Sequence, residues 1–179
     1  MQAQDILHFW FEELTDRQQF AKDAALDKMI STRFGATLDA AAHCELFGWR
    51  ATAEGAVAEI ILLDQFSRNI FRDTPRAFAQ DSLALALAQM LMATGQDQLL
   101  GPVQQRFVYM PYMHSESALI HAQAVELFSQ AGLEDGLDFE LRHLAIIARF
   151  GRYPHRNAVL GRVSSADELA FFSEPGSSF

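Results

Sequence analysis

The side chains best suited to chemistry in this chain are its arginines. Lys22 and Lys28 are the only lysines, against twelve Arg. A lysine is a flexible point charge, whereas an arginine offers a planar fork that grips a carboxylate or a phosphate through two parallel N–H donors. The arginines are also clustered. Arg142, Arg149, Arg152, Arg156 and Arg162 fall in a window without one Asp or Glu, and Arg68, Arg72 and Arg76 form a second group diluted by Asp73. Each group follows an apolar helix end with the pattern Phe-x-Arg-x-x-x-Arg, at Phe66, Arg68, Arg72 and again at Phe150, Arg152, Arg156. One consequence is an anion site built from two similar helix ends. The other is that these arginines cap helix C-terminal carbonyls and pair with buried acids.

Other polar residues lie on apolar stripes. Asp64 shares a face with Val57, Ile60 and Ile61, so it points inward and needs a partner, with Arg68 one turn later the nearest. His143 lies with Ile146, Ile147 and Phe150, three residues after Glu140. Glu-x-x-His is the spacing by which one helix offers two ligands to a metal pair, but the second such motif that a di-iron bundle requires is missing. A mononuclear site would use His114, Glu116, Glu140 and His143. A hydrogen-bonded core histidine is the simpler expectation, and no metal or other cofactor is implied. His114 stands between an aromatic run, Tyr109 to Met113, and Ser115–Glu116. It has the chemistry of a general base or hydrogen-bond donor, with Glu116 as its orienting partner, while Ser115 and Glu116 also suit a helix N-terminus. Cys44, the one cysteine, excludes an internal disulfide or a thiolate zinc cluster and is expected to be packed.

The elements that must position these residues are helical. Asp5–Leu14 is too apolar for an exposed helix. Leu26, Met29, Ile30, Arg33 and Phe34 follow a helical stripe behind an Asp23 cap, and a separate short piece is expected over Thr37–Cys44. Thr52 suits the start of a helix that stops near Ser67–Asn69, and Thr74–Pro75 restarts one that runs to Gly95. Pro102 and Pro111 bracket a short helix and an ordered loop. Helices are expected from Ser115 to Gly132 and from about Asp138 to Gly151, followed by a turn at Pro154. A capping box, Ser165 with Glu168, opens the last helix. The expectation is an all-α fold of seven to nine helices, one domain over residues 1–172, with a loose tail over 173–179.

Composition narrows the function. Half of the 179 residues are hydrophobic, which is enough for a core, and the net charge of −9 repels phosphate backbones, so no nucleic-acid partner is expected. Met1–Phe11 lacks a basic n-region, and the longest uncharged apolar stretch, Ser82 to Gln96, is short of the ~20 residues of a membrane span. The expected setting is the cytoplasm, away from membranes.

Leu63–Arg72, Arg76–Asp81, Tyr109–Glu116 and Arg149–Asn157, with Leu7–Phe11 and Leu160–Arg162, resemble the bacterial family catalogued as domain of unknown function 924. The resemblance spans essentially the whole chain. It implies an all-helical, tetratricopeptide-like fold and no established activity. Its motif positions here are Asp64, Gln65, Arg68, Asn69, Arg72, His114, Glu116, Arg152, His155, Arg156 and Asn157. Ser67 stands where the family usually has Pro, which points to a stop for the helix rather than a catalytic group. The duplicated arginine pattern, offset by about two helix-pair units, favours a binding module over an enzyme. Its ligand would be an anionic small molecule or an acidic peptide or protein, with a homodimer as a further expectation. The alternative is a hydrolase or lyase with His114 as base, Glu116 as its partner and an arginine clamp.

Overall fold

The computed structural model describes residues 1–174, 176 and 177, and all regular structure among them is helical. The α-helices are α1 (Ala3–His8), α2 (Asp16–Phe20), α3 (Ala24–Ala42), α4 (Ala53–Ile61), α5 (Ser67–Ile70), α6 (Asp81–Ala93), α7 (Pro102–Met113), α8 (Ala118–Phe128), α9 (Glu134–Phe150) and α10 (Ala166–Phe171). A π-turn, Phe9–Glu13, extends α1, and a second, Leu62–Phe66, joins α4 to α5 without a break, leaving nine helical rods among the described residues. The chain divides into two compact units. The first holds Met1–Arg72 and Arg76–Pro111, the second Asp73–Pro75 and Tyr112–Phe179.

The first unit is organised around the α4–α5 rod. The Thr52 hydroxyl accepts from the Gly55 amide and starts it. From Gly55 to Ser67 every residue is buried, Glu59, Asp64, Gln65 and Ser67 included among the apolar ones. Phe66 sits among Phe9, Trp10 and Phe34, with ring centroids 5.9, 5.5 and 5.1 Å away, so the two π-turns meet in one aromatic cluster. The rod does not stop at Ser67. That residue is helical and begins α5, so it is not itself the stop; a π-turn before it absorbs one extra residue, and the helix ends at Ile70, one residue past the range Ser67–Asn69 expected for its end.

Other boundaries move as well. Asp23 caps α3 as expected, through the amides of Ala25 and Leu26, but α3 runs unbroken to Ala42, absorbing the piece placed over Thr37–Cys44. Met29 is exposed, since Leu26, Ile30, Phe34 and Leu38 already fill the buried stripe. Cys44 is not packed. It is exposed in a left-handed turn past the end of α3. Thr74–Pro75 opens only a 3-10 turn, Pro75–Phe78, before α6 begins at Asp81. The expected aromatic loop is helical: α7 carries Pro111 in its last turn, where the missing N–H costs one bond of a helix that ends two residues later.

In the second unit, Gly151 adopts φ +68° and closes α9 as a left-handed residue should. The chain then crosses Tyr153 and a 3-10 turn, Pro154–Arg156, and the Ser165–Glu168 capping box opens α10 as expected. Ile146, Ile147, Tyr153 and Phe171 form a buried cluster. Two starts differ from expectation. Helix α8 begins at Ala118, so Ser115 and Glu116 precede it and are used for tertiary contacts, and α9 begins at Glu134 rather than Asp138. Of the tail expected over 173–179, Pro175, Ser178 and Phe179 lie outside the described residues.

Candidate functional site: an arginine–carboxylate frame and a histidine cluster

The motif residues of the first half all belong to the first unit, where they form two ionic clusters. In one, Arg68 Nη1 lies 3.0 Å from Asp64 Oδ1 and donates to the Asp64 carbonyl at 2.7 Å, as the helical stripe predicted. The same guanidinium grips both oxygens of Asp81 at 2.9 and 3.0 Å, and Gln65 donates to Asp64 Oδ2 at 2.6 Å. In the other, Arg72 makes a two-pronged bond to Asp27 at 2.6 and 2.8 Å, and Asn69 adds a third donor at 2.8 Å. Burial pushes the Asp27 carboxyl up, but these donors outweigh it and hold the group below its usual range. Replacing Asp27 by Ala strips the counter-charge from Arg72 and Asn69 together. We expect a loss of about 2 kcal/mol, read as a lower midpoint in urea titration, with Arg72→Lys milder.

The second unit uses the same device. Arg152 binds both oxygens of Glu168 at 2.6 and 2.8 Å. Arg162 binds both oxygens of Glu116 at 2.6 and 2.9 Å, while Glu116 also accepts the Tyr153 amide at 2.8 Å. Arg152 and the Ser165 amide hold the Glu168 carboxyl down to about 2. Burial raises Glu116, yet Arg162, the Tyr153 amide and the charge of Arg156 leave it lowered. The duplicated pattern now has a physical meaning. Arg68 is helical and Arg152 lies beyond Gly151, yet each reaches an acid in the first turn of the next α-helix, Asp81 of α6 and Glu168 of α10. Both arginines tie a helix end to the start of its successor.

Tyr153, fully buried, is the hub of the second unit. Arg156 lies over its ring, 4.5 Å from the centroid, and donates through Nη2 to the His114 carbonyl at 3.0 Å. The rings of His155, His143 and His121 stand 5.4, 5.7 and 6.3 Å from it. Asn157 bonds Ser164 at 3.0 Å. His143 is the core histidine that its stripe implied: Nδ1 donates to the Phe139 carbonyl at 2.7 Å, and burial, with the charges of His114, His121 and His155, lowers it to about 3. Glu140 faces His121 at 2.5 Å rather than joining His143 as a second ligand of one metal, and its carboxyl is raised by burial. Among the described residues no three His, Cys, Asp or Glu side chains are grouped to hold a metal.

His121 and Tyr153 escaped the sequence reading. His121 shares a stripe with Ala124, Leu127 and Phe128, all buried, the same signal that placed Asp64 and His143 inside. Tyr153 carried no such signal, because it lies in a turn.

No curated protein matches this chain. A solved structure does, that of a protein of unknown function, ATU0120, from Agrobacterium tumefaciens. It is 37% identical, covers 95% of this chain and 96% of its own, and superposes with a TM-score of 0.90. The residues that carry both polar clusters fall inside the stretch matched by one family profile, residues 6–176, and the chain belongs to that family, described as bacterial protein of unknown function, DUF924.

Proposed function

We propose that this protein is a tetratricopeptide-like binding module of the cytoplasm, and that the second unit takes a small carboxylate or phosphate, free or on an acidic peptide, against His114, His155 and Arg156. The observation that carries the reading is the gathering of His155 and Arg156 about Tyr153, with Arg156 also bonded to the His114 carbonyl and with Glu116 and Glu168 already neutralised by Arg162 and Arg152. The partly exposed His155 imidazole and the Arg156 guanidinium, both against one aromatic ring, make a preorganised donor set for an anion, and the partly exposed His114 follows directly from the backbone that Arg156 holds. Within this reading Asp64, Gln65, Arg68, Asn69 and Arg72 belong to the frame of the first unit, and Arg152 and Asn157 to that of the second. A homodimer is compatible with it.

The hydrolase or lyase reading needs Glu116 to orient His114, and Glu116 is engaged by Arg162 and the Tyr153 amide instead. That supports the binding reading over the enzyme. The test is calorimetric titration with inorganic phosphate and with citrate at low and high salt. Saturable binding that weakens with salt is expected, together with about a tenfold loss in Arg156→Lys, titrated at a temperature where its melting curve shows it folded, since a lysine cannot keep the planar fork. Unchanged affinity in that variant defeats the proposal.

A further inference from the structure

The pair Glu140–His121 is fully buried, and the proposed binding reading makes no direct use of it. Its protons are fixed by what surrounds it. His121 Nε2 lies 2.8 Å from the Ser115 carbonyl, which can only accept, so Nε2 carries a hydrogen. The Tyr153 hydroxyl gives its one hydrogen to the Met113 carbonyl at 2.5 Å, so toward the same Nε2, at 3.1 Å, it acts as acceptor. On the far side of the ring, Nδ1 and Glu140 Oε1 share a single proton across 2.5 Å, whichever of the two holds it. The second carboxyl oxygen, Oε2, is buried without a hydrogen bond. Exchanging such a pair for hydrophobic side chains of like volume is often neutral or stabilising, so burial of the pair is weak evidence for a stabilising role.

We propose that Glu140 and His121 are positioning residues for the anion seat of the second unit. They clamp the Ser115 carbonyl and the Tyr153 hydroxyl at once, and so hold the segment bearing His114 in register with the ring under Arg156. The device joins α8, α9, the 113–116 segment and the turn after α9 through one imidazole. This inference rests on the anion-binding reading and adds what keeps that seat in shape.

Three variants separate positioning from mere stability. Glu140→Gln can donate an amide hydrogen to Nδ1, which leaves the hydrogen on Nε2 and the clamp intact. His121→Leu deletes the clamp, and Tyr153→Phe keeps the ring while removing its hydroxyl. Inorganic phosphate is titrated into each at a temperature where melting curves show it folded. The expected result is affinity within about twofold of wild type for Glu140→Gln and about tenfold weaker for Tyr153→Phe and His121→Leu, the scale of one buried hydrogen bond. If His121→Leu fails to fold, Tyr153→Phe against Glu140→Gln still decides. Wild-type affinity in Tyr153→Phe overturns the proposal and leaves the binding reading standing. Absence of phosphate binding by the wild-type protein overturns both.

Discussion

Moving from pH 7.5 to pH 4 is expected to remove about 3 kcal/mol of folding stability through His143 alone. Its imidazole is lowered to about 3 in the folded protein, while an unfolded histidine titrates near 6.5. Between those values the unfolded chain binds a proton that the folded chain refuses. The contribution is therefore complete above about 6.5 and is lost progressively as the pH falls toward 3. The cause is burial first, then the fields of His114, His121 and His155. Glu140 works the other way, since burial raises its carboxyl and its share of stability is lost as the pH rises. A comparison with His143→Phe, a ring of similar size that does not titrate, isolates the histidine. Urea midpoints followed from pH 4 to 8 should fall steeply on the acid side for the wild type and less so for the variant. Parallel profiles would show that His143 does not carry the effect.

Helix existence was legible wherever a cap and a stripe agreed. Asp23, Thr52 and Ser165 each announce a helix that is there, because a side-chain oxygen before an apolar stripe has one economical use, bonding the free amides of a first turn. What the stripe conceals is continuity. The separate piece expected over Thr37–Cys44 is part of α3, which runs unbroken to Ala42, and the π-turn at Leu62–Phe66 shifts the helical register by one residue inside a rod that ends at Ile70, one residue past the stop expected near Ser67–Asn69. The opposite error occurs at Pro111. Proline and aromatic residues argue for a loop, and packing overrides them, since Phe107, Val108, Tyr109, Tyr112 and Met113 are all buried.

The candidate site was legible one residue at a time and not as an arrangement. The stripe rule placed Asp64 and His143 inside, and the excess of arginine over lysine pointed to two-pronged contacts, which are present. Sequence alone does not reveal which carboxylate each fork takes. Asp27, Asp81 and Glu168 lie on other helices, and only the fold brings them to Arg72, Arg68 and Arg152. Tyr153 was hidden for the same reason, as a turn residue whose importance comes from the histidines that converge on it.

The largest effect from a single methyl group is expected at Gly55. A Cβ there would stand 2.0 Å from the Trp49 carbonyl oxygen and 2.9 Å from its carbon, so the backbone of the neighbouring 3-10 turn, Phe47–Ala51, must move. That turn is anchored. Arg50 within it holds both oxygens of the fully buried Glu59 at 2.7 Å each, and a shift of Trp49 pulls on the cation that neutralises Glu59. Alanine favours a helix over glycine by about 1 kcal/mol. Overpacking against backbone costs about 1–3 kcal/mol, and loosening a buried ion pair adds to it. The clash wins, and Gly55→Ala should lose about 2–3 kcal/mol net. Gly35, inside α3 with open space where its Cβ would stand, provides the contrast. Gly35→Ala should gain up to about 1 kcal/mol by helix propensity. Denaturant midpoints of the two variants moving in opposite directions would confirm the close approach at Gly55, whereas a gain in both would mean that the Trp49 turn yields without cost and that Arg50 and Glu59 do not fix it.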